Sequence, residues 1–189
     1  MSVNFNILAV PPTVSAQIVT ASNANLQQAF TKLVVHDGTN LGYKVHVRGH
    51  AESYVFGNTT ATPITVINTN VQFTQGTQTL NPLSVNFDIN GNGLRYIGTE
   101  NGTFFVHINL NAISGAGAQQ CSFYTAKNGT ILSNSKCSQK IDSGAGQNGV
   151  SSTIVSLTTN DIITLWMANN TATNSITITD VSFEAFALN

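Results

Sequence analysis

The stretch "KVHVRGH" sets Lys44, His46, Arg48 and His50 two residues apart. At the period of a β-strand these four side chains fall on one face. Such a face could take a carboxylate, a sulfated sugar or an acidic patch on a partner, or it could place His46 and His50 on a metal ion. No third metal ligand is indicated, and basic residues on a strand also serve simply to keep it soluble and unaggregated. The solvated face is the simpler reading, and both stay open. His107 lies inside "FFVHINL", where a polar residue satisfied within a core or an interface explains it better than a catalyst; between copies of a chain it could sense pH.

The remaining chemistry is thin. Asp88, Glu100, Asp142, Asp161 and Asp180 are scattered, and no two share a face that would make a glycosidase-like carboxylate pair. No Gly-X-Ser-X-Gly elbow occurs. The Gly-rich "GNG" and "GAG" are not followed by a phosphate-binding lysine. These absences argue against an enzyme and against any cofactor or metal centre.

Composition points the same way. Only 8% of the 189 residues are charged and the formal net charge is −1, against about 25% charged residues in an ordinary soluble domain. No basic patch is available for a phosphate backbone, which argues against nucleic acid. Asn and Thr supply the missing polarity, and they are interleaved with Val, Ile, Leu and Phe. Thr suits strands and Asn suits turns, so the composition fits an all-β protein whose uncharged surfaces meet other protein surfaces. No run is long enough for a membrane span, and "MSVNFNILAVPPTVSA" lacks the basic start and apolar run of a secretory signal.

The elements that must position these residues divide the chain. In residues 1–56, Pro11 and Pro12 belong to an extended arm, and Leu26, Ala29, Phe30 and Leu33 recur at helical spacing behind Ser22 or Asn23. "HDGTN" then offers a turn before the alternating strand that begins at Tyr43. This reads as a small α+β anchoring module. Residues 57–63, "GNTTATP", read as a linker. From Ile64 to Asn189 short strand-like runs follow one another, joined by "NGNG", "ENG", "SGAGA", "KNG" and "SGAGQNG". Many short strands with closely spaced turns predict an antiparallel sandwich or barrel.

"CSFYTAKNGTILSNSKC" has Asn128-Gly129 at its centre, a strong hairpin signal. Cys121 and Cys137 flank that turn almost symmetrically, so adjacent strands are expected. A cross-strand disulfide and a pair of free thiols both remain possible.

In "TTNDIITLWMANN", alternation puts Ile162, Thr164 and Trp166 on one face and Ile163, Leu165 and Met167 on the other. Both faces are largely apolar, whereas a strand in an antiparallel sandwich normally shows one face to water. A second cover is expected, either the N-terminal module or another copy of the chain. The same excess recurs in "GTFFVHINLNAI" and "VSFEAFAL".

The region from about Ile64 to Asn189 resembles the jelly-roll superfamily of tumour necrosis factor and the globular head of the first complement component. The matching features are "GTFFVHINLNAI", "SSTIVSLTTNDIITLWMAN" and the closing "SITITDVSFEAFAL". Asn160 stands where that superfamily usually has Gly before Asp161, and Asn is the next residue to tolerate positive φ. The family's calcium-binding acids have no counterpart, so no calcium is expected. The resemblance implies a homotrimeric knob in which Phe104, Phe105, His107, Ile163, Leu165, Trp166, Phe183 and Phe186 form core or trimer seam. The same fold recurs in phage and large-virus head fibres, spikes and decoration proteins, where an N-terminal segment like residues 1–56 anchors to the capsid.

The sequence thus predicts a non-enzymatic virion protein, a trimeric jelly-roll knob on an N-terminal anchor that decorates a capsid or touches a host-surface glycan. The other reading is an extracellular or cell-surface carbohydrate-binding or adhesion module.

Overall fold

The computed structural model describes Val34–His36, Leu41–Tyr43 and residues 49–188. Two compact units divide the chain, residues 1–47 and residues 48–189. In the first, β1 (Val34–His36) and β2 (Leu41–Tyr43) pair antiparallel, with Val34 opposite Tyr43. The helix expected around Leu26–Leu33 and the extended arm lie outside the described residues.

The second unit is built of β3 (His50–Val55), β4 (Val71–Gln72), β5 (Thr79–Leu80), β6 (Phe87–Asn90), β7 (Gly93–Tyr96), β8 (Gly102–Ser114), β9 (Gln119–Lys127), β10 (Thr130–Ile131), β11 (Cys137–Ile141), β12 (Gln147–Leu157), β13 (Ile162–Asn169) and β14 (Ile176–Ala187). One sheet runs β12-β8-β14-β3-β5. The other runs β10-β9-β13-β7-β6, with β11 also on β9 and β4 also on β13. Numbering the eight principal strands β3, β7, β8, β9, β11, β12, β13 and β14 from first to eighth, one sheet carries the first, eighth, third and sixth. The other carries the second, seventh, fourth and fifth. That order is a jelly roll, two Greek keys folded into a sandwich.

Period-two alternation explains why the long strands face as they do. In β8, Phe104, Val106, Ile108 and Leu110 point into the sandwich while Phe105, His107, Asn109 and Asn111 point out. β12 and β14 alternate likewise, with Phe183 and Ala185 wholly buried. From the facing sheet come Phe123, Leu94, Ile163, Leu165 and Met167, all fully buried. At one end of the core the rings of Phe87, Tyr96 and Phe104 pack with centroids 5.0–5.4 Å apart. Tilted and edge-on aromatic contacts of this kind add to the burial of their area.

The sandwich begins earlier than the sequence implies. The strand His50–Val55, expected with the N-terminal module, pairs with β14 from Phe186 to Val181. The expected linker crosses back onto the same strand: Asn58 N–H donates to Thr179 O at 2.8 Å, and Thr62 bridges Ile176. The boundary therefore falls near residue 48, ahead of β3. Its local sequence carries no sign of a partner strand more than a hundred residues away.

The apolar strand β13 is explained by its place at the centre of the second sheet. Ile163, Leu165 and Met167 enter the core. On the outer face, the Trp166 indole turns back over Thr164, donating from Nε1 to Oγ1 at 3.0 Å. Thr164 is thereby covered, and Ile162 and Trp166 are left half-buried.

Asp161, at the entrance of β13, is a buried latch. It accepts from Thr158 N–H at 2.8 Å, the Thr158 hydroxyl at 3.1 Å, Lys127 Nζ at 3.0 Å and Asn128 Nδ2 at 2.6 Å. Burial alone would raise its pKa; these donors outweigh burial and bring it down to about 2. Asn128 also accepts Ile162 N–H at 2.8 Å, so the β9–β10 turn is tied to the start of β13. Asn160 has a φ of 73°, as its place ahead of Asp161 predicts. The Asn128-Gly129 turn has φ values of 50° and 77°, the two-residue hairpin its sequence predicts.

Both cysteines are free thiols. They lie on adjacent strands, but Cys137 is opposite Phe123 and Cys121 is opposite Gln139. Diagonal pairs sit about 7–8 Å apart, beyond the ~4.5 Å between Cβ atoms that a disulfide tolerates. Burial pushes the Cys121 thiol up to about 11. A maleimide reagent at neutral pH is expected to modify half-buried Cys137 within minutes and to spare Cys121 until the chain is unfolded. Protection of both in unfolded, unreduced protein would reveal a disulfide instead.

Candidate interaction surface

The outer face of the five-stranded sheet is built by the register of four strands. Ile154 on β12 lies opposite Phe105 on β8, Phe105 opposite Phe186 on β14, and Phe186 opposite His50 on β3. Each of these residues belongs to the outward half of its strand's alternation, so an apolar row crosses the sheet and ends in an imidazole. Ile154 is 59% exposed and Phe186 46%. Leu188, whose N–H donates to Thr103 O at 2.8 Å, extends the row at 51% exposure.

The next row is polar: Ser152, His107, Glu184 and Glu52. Glu184 and Glu52 stand directly opposite one another, a pairing that costs stability when both are ionised. Asn81 Nδ2 donates to Glu52 at 2.8 Å and relieves part of that charge. His107 stacks along Phe105 with ring centroids 6.1 Å apart. The following row, Val150, Asn109, Ser182 and Tyr54, is neutral again. Beside it Tyr54 stacks on Phe56, with centroids 4.6 Å apart and Phe56 exposed.

The residues expected to form core or seam divide three ways. Phe104, Ile163, Leu165 and Phe183 are core. Phe105, His107 and Phe186 gather on this outer face. Trp166 lies on the outer face of the other sheet, opposite Tyr124 and Gln72. Of the basic strand, His50 is exposed and borders the apolar row, while Lys44, His46 and Arg48 lie outside the described residues. Ile154, Val150, Leu188, Tyr54 and Phe56 join the surface without having been singled out in the sequence; the signal for Ile154 and Val150 was their alternation with Val155, Thr153 and Ser151. Among the described residues no three His, Cys, Asp or Glu side chains are gathered in a way that could hold a metal ion.

No family model and no curated protein matches this sequence. Solved structures resemble its chain path. A tumour necrosis factor, Eiger, from S. frugiperda has 12% identity and a TM-score of 0.47, over 75% of this chain and 94% of that one. The PRD1 vertex protein P5 has 12% identity and a TM-score of 0.47, over 84% and 83%. The globular domain of zebrafish complement 1qA has 10% identity and a TM-score of 0.42, over 75% and 98%. These are likenesses of fold. The strand order given above places the chain among jelly rolls by its own topology.

Proposed function

We propose that the chain is a non-enzymatic structural protein of a virus particle, a homotrimeric knob that decorates a capsid or forms a head fibre or spike. The N-terminal module would hold it to the capsid and the sandwich would face outward, within reach of a host surface.

The observation that carries this reading is the outer face of the five-stranded sheet. Four strands about 4.8 Å apart and some eleven residues at about 3.4 Å each give it an area on the order of 700 Å². A stable interface buries about 800 Å² per partner. Exposed Ile154, Phe186 and Leu188 around half-buried Phe105 give one end of that area an apolar patch bordered by the polar row of Ser152, His107, Glu184 and Glu52, an arrangement that suits a protein–protein contact. The scarcity of charge over the whole chain supports the same reading.

Light scattering on the full chain is expected to give three times the 20.0 kDa of one copy. A monomer or a dimer overturns the trimer. Antiserum against the chain is expected to label particles purified from its source; labelling of cell surfaces alone would favour the extracellular adhesion module.

A further inference from the structure

A second feature lies on the opposite side of the sandwich. Two turns and the end of β4 meet over the outer face of the seven-stranded sheet around an open depression of about 340 Å³. Its walls are Gln72 at the end of β4, Thr74 just beyond it, the Asn90–Asn92 turn between β6 and β7, the Asn128-Gly129 turn, and Ile162 and Thr164 of β13. Gly91 and Gly129 sit at φ 60° and 77°, and nothing lies within 4 Å of where a Cβ would stand on either. The turn geometry thus demands residues that also keep the rim open.

We propose that this depression binds a neutral saccharide. None of its lining side chains is charged. The charges on the strands around it are paired: Lys127 is held by Asp161 and by Ser156 O, Arg95, opposite Ile162, is held by Asp88, and Asp161 is saturated by its own donors. An anion or a metal ion would therefore meet only charges that are already paired within the chain. Apart from Ile162, the side chains that line it are carboxamides and hydroxyls, which donate and accept at once, as sugar hydroxyls do.

Their commitments within the chain are unequal. Asn128 spends both ends of its amide on Asp161 and Ile162. Asn92 spends its amide nitrogen on Gln75 O and Gly76 O, leaving its oxygen. The carboxamides of Gln72 and Asn90 bond to nothing in the described residues, so each offers a donor and an acceptor to a ligand. Beside them stands Trp166, whose register partner is Gln72 and whose indole N–H is turned onto Thr164. Its half-buried ring, next to Gln72 and over Thr164, adds a flat apolar surface at the edge of the depression that suits the C–H face of a sugar ring. The volume is at the small end of the ~300–1,000 Å³ usual for ligand pockets, which limits the ligand to one or two rings.

Trp166 is the sole tryptophan of the chain, and it adjoins the lining residues Gln72 and Thr164, so its fluorescence reports on the edge of this site. The full chain is titrated with galactose, glucose, mannose, N-acetylglucosamine and lactose, and with a sulfated dextran oligosaccharide as the anionic contrast. At least one neutral sugar is expected to change the emission saturably with a Kd of about 1 mM. Gln72→Ala and Asn90→Ala are each expected to weaken that binding tenfold or more while keeping Tm within about 2 °C. No saturable change with any neutral sugar, equal binding in both variants, or preference for the sulfated sugar overturns the proposal. Oligomer mass is measured on the same samples, so failure here and failure of the trimeric knob register separately.

Discussion

Glutamate at both Ile154 and Phe186 is expected to reduce the light-scattering mass to that of a single chain while the fold survives. Both side chains are outward-facing and about half exposed within one copy, so the monomer tolerates the change: carboxylates there remain in water. In an assembly that covers the row Ile154, Phe105 and Phe186, each copy would bury two new charges, one of them opposite His50. An unpaired buried charge costs several kcal/mol, repeated in every copy, whereas an interface of ordinary size has a net stability of about 8–12 kcal/mol. Val66→Glu, at an exposed apolar residue off this face, is the control and should leave the mass unchanged. Retention of full mass by the double variant would show that copies meet elsewhere.

Replacing Asp161 with alanine is expected to lower stability by about 2–4 kcal/mol, because it strands Lys127, Asn128 and both Thr158 donors in a half-dry site. For a domain of this size that is a fall in Tm of about 5–15 °C. The same residue shapes the acid limb. Its folded pKa, about 2, lies below the 3.8 of a free aspartate. Its contribution is therefore complete above about pH 4 and disappears as pH falls toward 2, an amount of about 2 kcal/mol. Asp88, lowered chiefly by its hydrogen bond from Arg95, and Asp180, lowered chiefly by Gly57 N–H, act in the same direction. Denaturant midpoints of the parent chain should drop between pH 4 and pH 2, and those of Asp161→Ala should drop less over the same window. Equal slopes in the two would remove the latch from the account.

Much of the sandwich can be read from residue order because its signals are local. β8, β12 and β14 alternate over eleven to thirteen residues, and a pattern that long admits little besides a strand with one covered face. The Asn128-Gly129 turn and Asn160 declare their backbone angles through residue type. What alternation cannot say is which parity faces the core. Phe104 and Phe105 look alike in sequence, yet one is fully buried and the other faces out, and only the packing of the second sheet decides between them. Non-local pairing is equally silent. β3 reads as part of the N-terminal module until β14 is laid beside it, and "ITVINTNVQFT", which alternates well enough to predict a strand, pairs only at Val71–Gln72 because its remainder crosses between sheets. The depression by Trp166 gathers residues from two turns, the end of β4 and β13, far apart in the chain, so in the sequence it survives mainly as an abundance of asparagine.

The position of β14 sets the order in which this molecule can be completed. It follows every other strand of the sandwich in the chain and lies between β8 and β3, bonded to β8 along most of its length and to β3 from Val181 to Phe186. Until it leaves the ribosome, two long strand edges stand open in a chain whose uncharged residues do little to repel a second copy. Closing the sheet then joins residues more than a hundred positions apart, a non-local step that places folding in the slow, millisecond-to-second range. A nascent chain halted before Ile176 would hold most of its apolar core residues with no means of shutting the sandwich, and its hazard would be edge-to-edge pairing with its neighbours on the same message.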